Sequence, residues 1–226
     1  MTSPTARTSR RWLASILALA LTGCASLLGL GPAPHLYRVT PKSTYPAHLP
    51  HPAGQLLVDV PLAPAGLDTE RIALSRSAVS IDYFADSEWI DRVPRMVQTA
   101  LLDSFESSKV ITAIDRESIG LRADVILKTD IRHFEALYDS RDGAPEVWVA
   151  IGARLVDPSS REVVAHASFE HRERAKGNDI PQIVLAFDEA LGVVMEDIVV
   201  WTLRNPACQR RGIRYDDHLS FTKVAA

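Results

Sequence analysis

The composition is that of an ordinary globular protein with a slight excess of acid. The chain has 226 residues, with 25 lysines and arginines against 28 aspartates and glutamates, so its formal net charge is −3. This balance excludes the strongly basic surface of a nucleic-acid-binding protein. With only two cysteines, a disulfide-rich scaffold is excluded as well, and the length fits roughly one domain.

The first 23 residues have the layout of a secretory signal. MTSPTARTSRR carries three arginines and no acid, and Trp12–Leu21 is almost entirely apolar. This run is well below the ~20 residues that a membrane-spanning helix needs. Leu21–Cys24 (LTGC) resembles the lipobox of bacterial lipoproteins. The resemblance implies cleavage before Cys24 and lipidation of its thiol, which would anchor the protein in a membrane.

Other interpretations of this segment stay open. An ordinary signal peptide with a chance cysteine is one alternative to the lipobox. Arg10 and Arg11 match a twin-arginine signal only in part, so the general secretory route is favoured. Ala25 follows the cysteine where aspartate would retain a lipoprotein in the inner membrane of enteric bacteria. By that analogy we expect the periplasmic face of the outer membrane, with inner-membrane anchoring as the alternative.

Cleavage changes the charge and leaves one free thiol. Losing three arginines and no acid leaves 22 basic against 28 acidic residues, a net charge of −6. Residues 24–53 contain six prolines, which predicts an extended tether, with a short edge strand near Leu36–Val39. Asn205-Pro206 should end the last helix, and residues 205–226 are predicted to be a loose tail that carries the unpaired Cys208.

The middle of the chain, residues 54–204, alternates strand patterns with two helical patterns. The helices are predicted over Ser87–Lys109, with Pro94 in the first turn, and over Asp179–Leu203, with Asp179 as the N-cap. Strand-like or short apolar runs cover residues 55–60, 72–75, 79–84, 110–114, 123–131, 146–157 and 161–174.

These patterns predict an α+β domain. The turn residues at 157–160 should join the last two strands in a β-hairpin. Each strand and each helix has one apolar face, so we expect a two-layer sandwich: a mixed β-sheet with two main helices packed on one face.

The histidines and carboxylates do not form a recognisable reactive site. His166 and His171 are five apart on one predicted strand and should point to opposite faces, so a shared metal is not expected. Asp124 and Asp130 share a strand face with Lys128 and Arg132. Ion pairs on a solvated face explain this pattern better than a pair of catalytic acids.

The sequence also has no motif typical of a catalytic nucleophile or of a phosphate-binding loop. Ser75 and Ser77 flank Arg76 without a G-x-S-x-G elbow, and Cys208 has no neighbouring histidine or cysteine. The chain contains no GxxxxGK[ST] motif, so ATP hydrolysis would belong to a partner. We therefore expect no enzyme activity, no cofactor and no metal.

Aromatic side chains supply the remaining candidates. Trp89 is expected in the core. Phe134, Tyr138 and Trp148 fall near the ends of neighbouring strands, beside the loop 139–144. Since aromatics are enriched in interface centres, these three residues are candidate interface residues at an aromatic rim, with closure of an ordinary core as the alternative.

The order of motifs carries a family resemblance. After the lipobox and the proline-rich spacer come Tyr37-Arg38-Val39, a first strand that ends at Pro61, DTERIAL (68–74), YFADSEWIDRVP (83–94) and IRHFEA (131–136), followed by a hairpin. Together they resemble the ABC-type transport auxiliary lipoproteins, the family that includes the lipoprotein of the paraquat-inducible intermembrane transport system. The resemblance extends from the spacer to Leu203, whereas the tail lies outside it.

The resemblance implies a non-enzymatic auxiliary subunit of an intermembrane lipid or hydrophobic-compound transporter. Its partners would be an MCE-domain substrate-binding protein, an inner-membrane permease and an ATPase, and the lipoprotein would dock the assembly at the outer membrane, in a homo-oligomeric ring. Two alternatives stay open. One is a lipoprotein that carries a lipid itself, in a pocket between sheet and helices, and the other is an envelope-assembly lipoprotein.

Overall fold

The computed structural model describes residues 33–52, 54–111, 114–116, 123–139 and 143–209. The chain divides into two units, residues 1–35 and 36–226. The folded domain belongs to the second unit. The predicted signal segment and Cys24 lie outside the described residues.

The domain is a curled mixed sheet with helices, which confirms the predicted α+β class. Its elements in chain order are β1 (His35–Tyr37), β2 (Leu56–Val58), β3 (Arg71–Ser77), β4 (Ser80–Trp89), α1 (Val93–Ser107), β5 (Ile114–Arg116), β6 (Val125–Leu137), β7 (Glu146–Val156), β8 (Val163–Arg174), α2 (Ile180–Arg204) and α3 (Pro206–Gln209).

Strand β6 is the centre of the sheet. One edge of β6 pairs antiparallel with β7 along its whole length, and β7 pairs with β8 in the predicted hairpin. The other edge is divided: its start pairs parallel with β2, and its end pairs parallel with β3. β5 continues from β2, while β4 and then β1 continue from β3. The sheet therefore forks, and the β3–β4 hairpin belongs to one branch.

The helices cover one face of this sheet. Apolar residues recur every three or four positions in α1 and α2, and they make up most of the buried positions of both helices. Asp179 caps α2, since its carboxylate accepts a hydrogen bond from the amide of Gln182 at 3.2 Å. Trp89, Phe134 and Phe187 meet at the centre of the core with ring centroids 5.0–5.7 Å apart. The expectation that Trp89 lies in the core is confirmed.

The first helix begins later than its sequence pattern predicts. Residues 87–89 belong to β4, and α1 starts at Val93, with Pro94 in its first turn as expected. The amides of Trp89 and Ile90 donate to the carbonyls of Glu70 and Tyr37 at 2.6 and 2.7 Å. Because sheet pairing uses these amides, the residues are extended, although the spacing of the apolar side chains also fits a helix.

Residues 36–52, which we call the strap, pack on the helices, unlike the extended tether predicted for residues 24–53. Val39 and Leu49 are buried in the core. The Thr40 hydroxyl donates to Asp188 of α2 at 2.8 Å, and Lys42 pairs with Glu196 of α2 at 2.6 Å. The predicted edge strand is present as β1, at the end of the strand order.

The C-terminal end of the described chain also packs on the domain. α2 ends at Arg204, as Asn205-Pro206 predicts, but Pro206–Gln209 forms a short helical turn. Cys208 on this turn is buried, and burial raises the pKa of its thiol to about 12. The interpretation of Cys208 as a loose-tail thiol is therefore wrong, because desolvation makes it an inert part of the core.

Candidate functional site

The face of the sheet opposite the helices carries charged side chains in ion pairs. Asp130 of β6 contacts Arg132 at 2.8 Å and Arg154 of β7 at 2.9 Å. Lys128 pairs with Asp59 at 2.6 Å. The predicted solvated face with ion pairs is confirmed for Asp130 and Arg132. Asp124 instead accepts a hydrogen bond from the amide of Gln55 at 2.8 Å, where the chain enters β2.

A β-bulge in β6 decides which residues reach this open face. The pairing with β7 shifts register between Ile131 and His133, so β6 contains one extra residue there. Before the bulge the odd-numbered residues face the core, and after it the even-numbered residues do. His133, Glu135 and Leu137 consequently lie on the open face, where their side chains meet those of β7 and β8.

A groove of about 790 Å³ runs over this part of the open face. Strands β6, β7 and β8 form its floor, and the β3–β4 hairpin forms one wall. At the tip of the hairpin Val79 is 96% exposed, and Ile81 is 45% exposed. The Ser75 hydroxyl, on β3, lies 2.7 Å from the carbonyl oxygen of Ser77 and 2.6 Å from that of Ser80, and its single hydrogen can be donated to either one, which links the two sides of the tip.

Trp148 lies on the floor of the groove between strands that bring a histidine and an arginine against it. The rings of Trp148 and His133 stack at 3.3 Å with an interplanar angle of 12°. The guanidinium carbon of Arg172, directly across the ladder on β8, lies 4.2 Å from the centre of the Trp148 ring. These contacts fix the indole plane and keep a cation on it.

Glu135 supports this cluster from below. Its side chain is 8% exposed, and it meets His133 Nδ1 at 2.7 Å while accepting a hydrogen bond from the Phe134 amide at 2.7 Å. The buried carboxylate is thereby satisfied by two partners. The Trp148 Nε1, in contrast, is buried without an acceptor among the described residues. An unsatisfied buried donor costs about 1–3 kcal/mol.

Tyr138 forms the second aromatic position of the groove. Its hydroxyl donates to Asn178 Oδ1 at 2.7 Å, and its ring lies 6.4 Å from Phe84. The Arg76 guanidinium lies over the ring, 4.6 Å from its centre. Burial raises the pKa of Tyr138, and the positive charge of Arg76 partly opposes this effect.

The structure places the three candidate interface residues on different sides of the sheet. Tyr138 and Trp148 both line the groove. Phe134 is 1% exposed and packs in the core, so it does not belong to an exposed aromatic rim. The β-bulge is the physical reason, because uninterrupted alternation from Val125 would turn Phe134 toward the open face.

Sequence reasoning missed the arginines of the groove. Arg76, Arg132, Arg172 and Arg174 line it, together with the acids Glu135, Asp139 and Glu146. In a chain with an excess of acid, this lining has an excess of base. Counting the β7–β8 pairs from the turn would place His171 opposite Trp148, and a register shift between Leu155 and Val156 places Arg172 there instead, so this contact has no signal in the sequence.

The remaining candidates stay apart from each other. His166 and His171 both lie on β8 and pair with Arg154 and Val149, which are on opposite faces of β7. Within the described ranges, no group of three histidine, cysteine or acidic side chains is arranged to hold a metal. None of the helices in those ranges is long and apolar enough to cross a membrane. What the groove offers is a recognition surface of aromatic rings and guanidinium groups.

Comparison with known families identifies the domain. The model of the family described as "ABC-type transport auxiliary lipoprotein component" matches residues 36–199. The chain belongs to this family. The match begins with the strap and ends in α2, so both the strap and the groove are parts of the auxiliary lipoprotein domain.

One curated relative is similar to this auxiliary lipoprotein in sequence, and two crystal structures are similar to it in fold. A protein of Bradyrhizobium diazoefficiens, described as uncharacterized, is 33% identical over 151 residues, which are 67% of this chain and 40% of that protein. The chain thus spans about 40% of the length of that relative. The crystal structure of a Xanthomonas campestris protein described under the family name DUF330 has 28% identity and a TM-score of 0.70, with 74% of this chain and 94% of that one covered. A second crystal structure, of a protein described as uncharacterized, has a TM-score of 0.55 at 14% identity and covers 74% and 97%.

Proposed function

We propose that the protein is a non-enzymatic auxiliary subunit of an MCE-type ABC system that moves lipids or other hydrophobic compounds between membranes. The family match over residues 36–199 carries this proposal. The partners are an MCE-domain substrate-binding protein, a permease and an ATPase. An adaptor needs a recognition surface rather than reacting groups, and the groove with Tyr138, Trp148 and its arginines supports that role.

The anchor of this subunit is the lipidated Cys24. The lipobox-like sequence LTGC precedes the first described residues. Acyl chains on Cys24 would hold the domain at a membrane, at about 0.8 kcal/mol for each buried methylene. The Cys24→Ala variant is expected in the soluble periplasmic fraction, as measured by fractionation and by mass spectrometry of the N-terminal peptide. Acylated or membrane-bound Cys24→Ala protein would contradict the anchor.

We place the anchor in the outer membrane because Ala25 rather than aspartate follows the cysteine. In a density-gradient separation of host membranes, the protein should sediment with outer-membrane markers. The matched variant Ala25→Asp should move toward the inner-membrane fraction. If both proteins sediment with the inner-membrane markers, the proposed anchoring in the outer membrane is wrong.

The proposed homo-oligomeric ring can be built from open sheet edges. Among the described residues, β8 pairs only with β7, and β4 pairs with β1 only at the end near Trp89. Two different open edges on one chain allow head-to-tail contacts, which close into rings when the rotation permits. Native mass spectrometry of the detergent-solubilised protein should show a single closed oligomer, and a monomer at all concentrations would refute the ring.

The experiment that tests the adaptor role is copurification from the host envelope. The tagged protein, solubilised in detergent, should recover the MCE-domain protein with its permease and ATPase, as identified by mass spectrometry. The Cys24→Ala protein is the control for anchoring.

The alternative of a lipid carrier requires a pocket between sheet and helices. That space holds the large buried side chains of the core, including Trp89, Phe105 and Phe187. Recovery of a stoichiometric lipid without transport components, also with the unanchored protein, would favour the carrier.

A further inference from the structure

We propose that the groove binds an extended polypeptide segment of a transport partner, and that a carboxylate of this segment pairs with Arg76. This assignment rests on the proposed adaptor function and specifies the partner chemistry of the same groove. Charge, shape and the positions of the apolar side chains each support it.

Arg76 has a positive charge available for a partner. Its guanidinium lies over the Tyr138 ring, and among the described residues no carboxylate pairs with it. The other three arginines of the groove each contact an acid: Arg132 with Asp130 at 2.8 Å, Arg172 with Glu146 at 3.2 Å and Arg174 with Asp139 at 3.6 Å. A guanidinium that stacks on a ring still presents its N–H edge for a planar, bidentate contact with a carboxylate.

The shape of the groove favours an extended chain over a membrane surface. The groove follows β6 from Arg132 to Tyr138, which is about 20 Å at 3.3 Å per residue. An extended segment of about six residues has the same length. A lipid surface meets protruding parts of a protein, whereas Trp148 is part of the groove lining, is partly buried and has a buried Nε1.

Apolar side chains of the groove lie where they can contact apolar side chains of an extended segment. Ile81 is 45% exposed on the hairpin wall, and Trp148 lies on the floor. Tryptophan, tyrosine and arginine are the residues that carry most of the binding energy in protein interfaces. The recognised segment therefore combines an acidic residue, opposite Arg76, with apolar residues on both sides of it.

Charge reversal tests this assignment with the full, acylated chain purified from host envelopes. Arg76→Glu should lower the recovery of transport components about tenfold or more, because the proposed ion pair with the partner carboxylate becomes a repulsion between like charges. Arg95→Glu is the matched control, since Arg95 is exposed on α1 in the helix layer. Its recovery should stay within about twofold of the unmodified chain. Circular dichroism melting of both variants checks that the fold is intact.

Cross-linking then locates the segment. A photoreactive residue in place of Val79 should give a cross-linked peptide with an acidic residue, and reversing that acid to arginine should restore recovery with Arg76→Glu. Unchanged recovery with Arg76→Glu, or a failed charge swap, would overturn the groove assignment and leave the adaptor function standing. Absence of transport components with the unmodified chain would overturn both.

A vesicle-binding assay tests whether the groove binds a membrane surface instead of a polypeptide segment. The full Cys24→Ala chain should not sediment with phosphatidylcholine vesicles, with or without phosphatidylglycerol. Sedimentation with the anionic vesicles that Arg76→Glu abolishes would overturn the polypeptide segment and assign the groove to a lipid surface.

Discussion

The two faces of the sheet use their aromatic side chains differently. On the helix-covered face Trp89, Phe134 and Phe187 pack ring against ring, and each is at most 1% exposed. On the open face Tyr138 and Trp148 lie against arginines and a histidine and remain partly exposed. Rings that contact other rings in a sealed core stabilise the fold, whereas rings that hold cations at a surface prepare a recognition site.

The largest expected effect concerns the reactivity of the Cys208 thiol, which is part of the buried core on the helix-covered side of the sheet. Its pKa, raised by burial from 9.0 to about 12, lowers the thiolate fraction at pH 8 about a thousandfold. Alkylation of the Cys24→Ala chain should therefore be slow and should accelerate sharply in denaturant. Mass spectrometry measures the alkylation rate. If Cys208 reacts in native buffer as fast as an exposed cysteine, the C-terminal turn does not bury this thiol in the core.

Loss of the ring at Phe134 should be the most destabilising of the aromatic substitutions. Phe134→Ala removes contacts with Trp89 and Phe187 and leaves a cavity, which should lower the free energy of unfolding by about 3–5 kcal/mol. Urea denaturation measures this change, and Phe134→Leu should cost less. A loss below about 1 kcal/mol would place Phe134 outside a well-packed core.

Trp148 should behave in the opposite way, with a small effect on stability and a large effect on partner recovery. Trp148→Ala removes stacking on His133 and Arg172 at the open face, worth about 1–2 kcal/mol. Copurification of transport components should fall, while Trp148→Phe should retain part of it. If Trp148→Ala lowers the free energy of unfolding as much as Phe134→Ala does, the proposed difference in function between the two faces is wrong.

The smallest expected effect concerns the start of α2. Asp179→Ala removes the side-chain acceptor of the Gln182 amide and should lower the free energy of unfolding by about 1 kcal/mol. Asp179→Ser should preserve the cap. Because Asp179 lies outside the groove lining, recovery of the partners should be unaffected. If recovery falls together with the free energy of unfolding, the stability of the domain and not the groove governs binding.

The parts of the fold that depend on local patterns could be predicted from the sequence. Periodicity and capping signals gave the α2 helix from Asp179 to the Asn205-Pro206 stop, and turn residues gave the β7–β8 hairpin. The strap could not be predicted, because its few apolar residues, such as Val39 and Leu49, find their partners far along the chain. The same is true of Cys208, whose burial depends on the packing of a four-residue turn.

The candidate site was predictable only in part for a related reason. The sequence identifies Tyr138 and Trp148 as aromatics near strand ends, but the same pattern includes Phe134, because a bulge has no clear signature in a strand-like sequence. Arg76 comes from the other branch of the sheet, and only the fold of the β3–β4 hairpin brings it over Tyr138.

The bulge at Arg132 marks the one place where β6 has a residue to spare. Deleting that codon in frame would leave Ile131 opposite Ile151 and His133 opposite Ala150, so the pairing would become regular and Phe134 would stay in the core. A residue inserted between Phe134 and Glu135 would instead turn Glu135 toward the core and Ala136 toward the open face. The chain with the insertion should fail to accumulate in the cell, whereas the chain without Arg132 should still fold. Among members of this family, a difference of one residue in the length of β6 should therefore fall at the bulge.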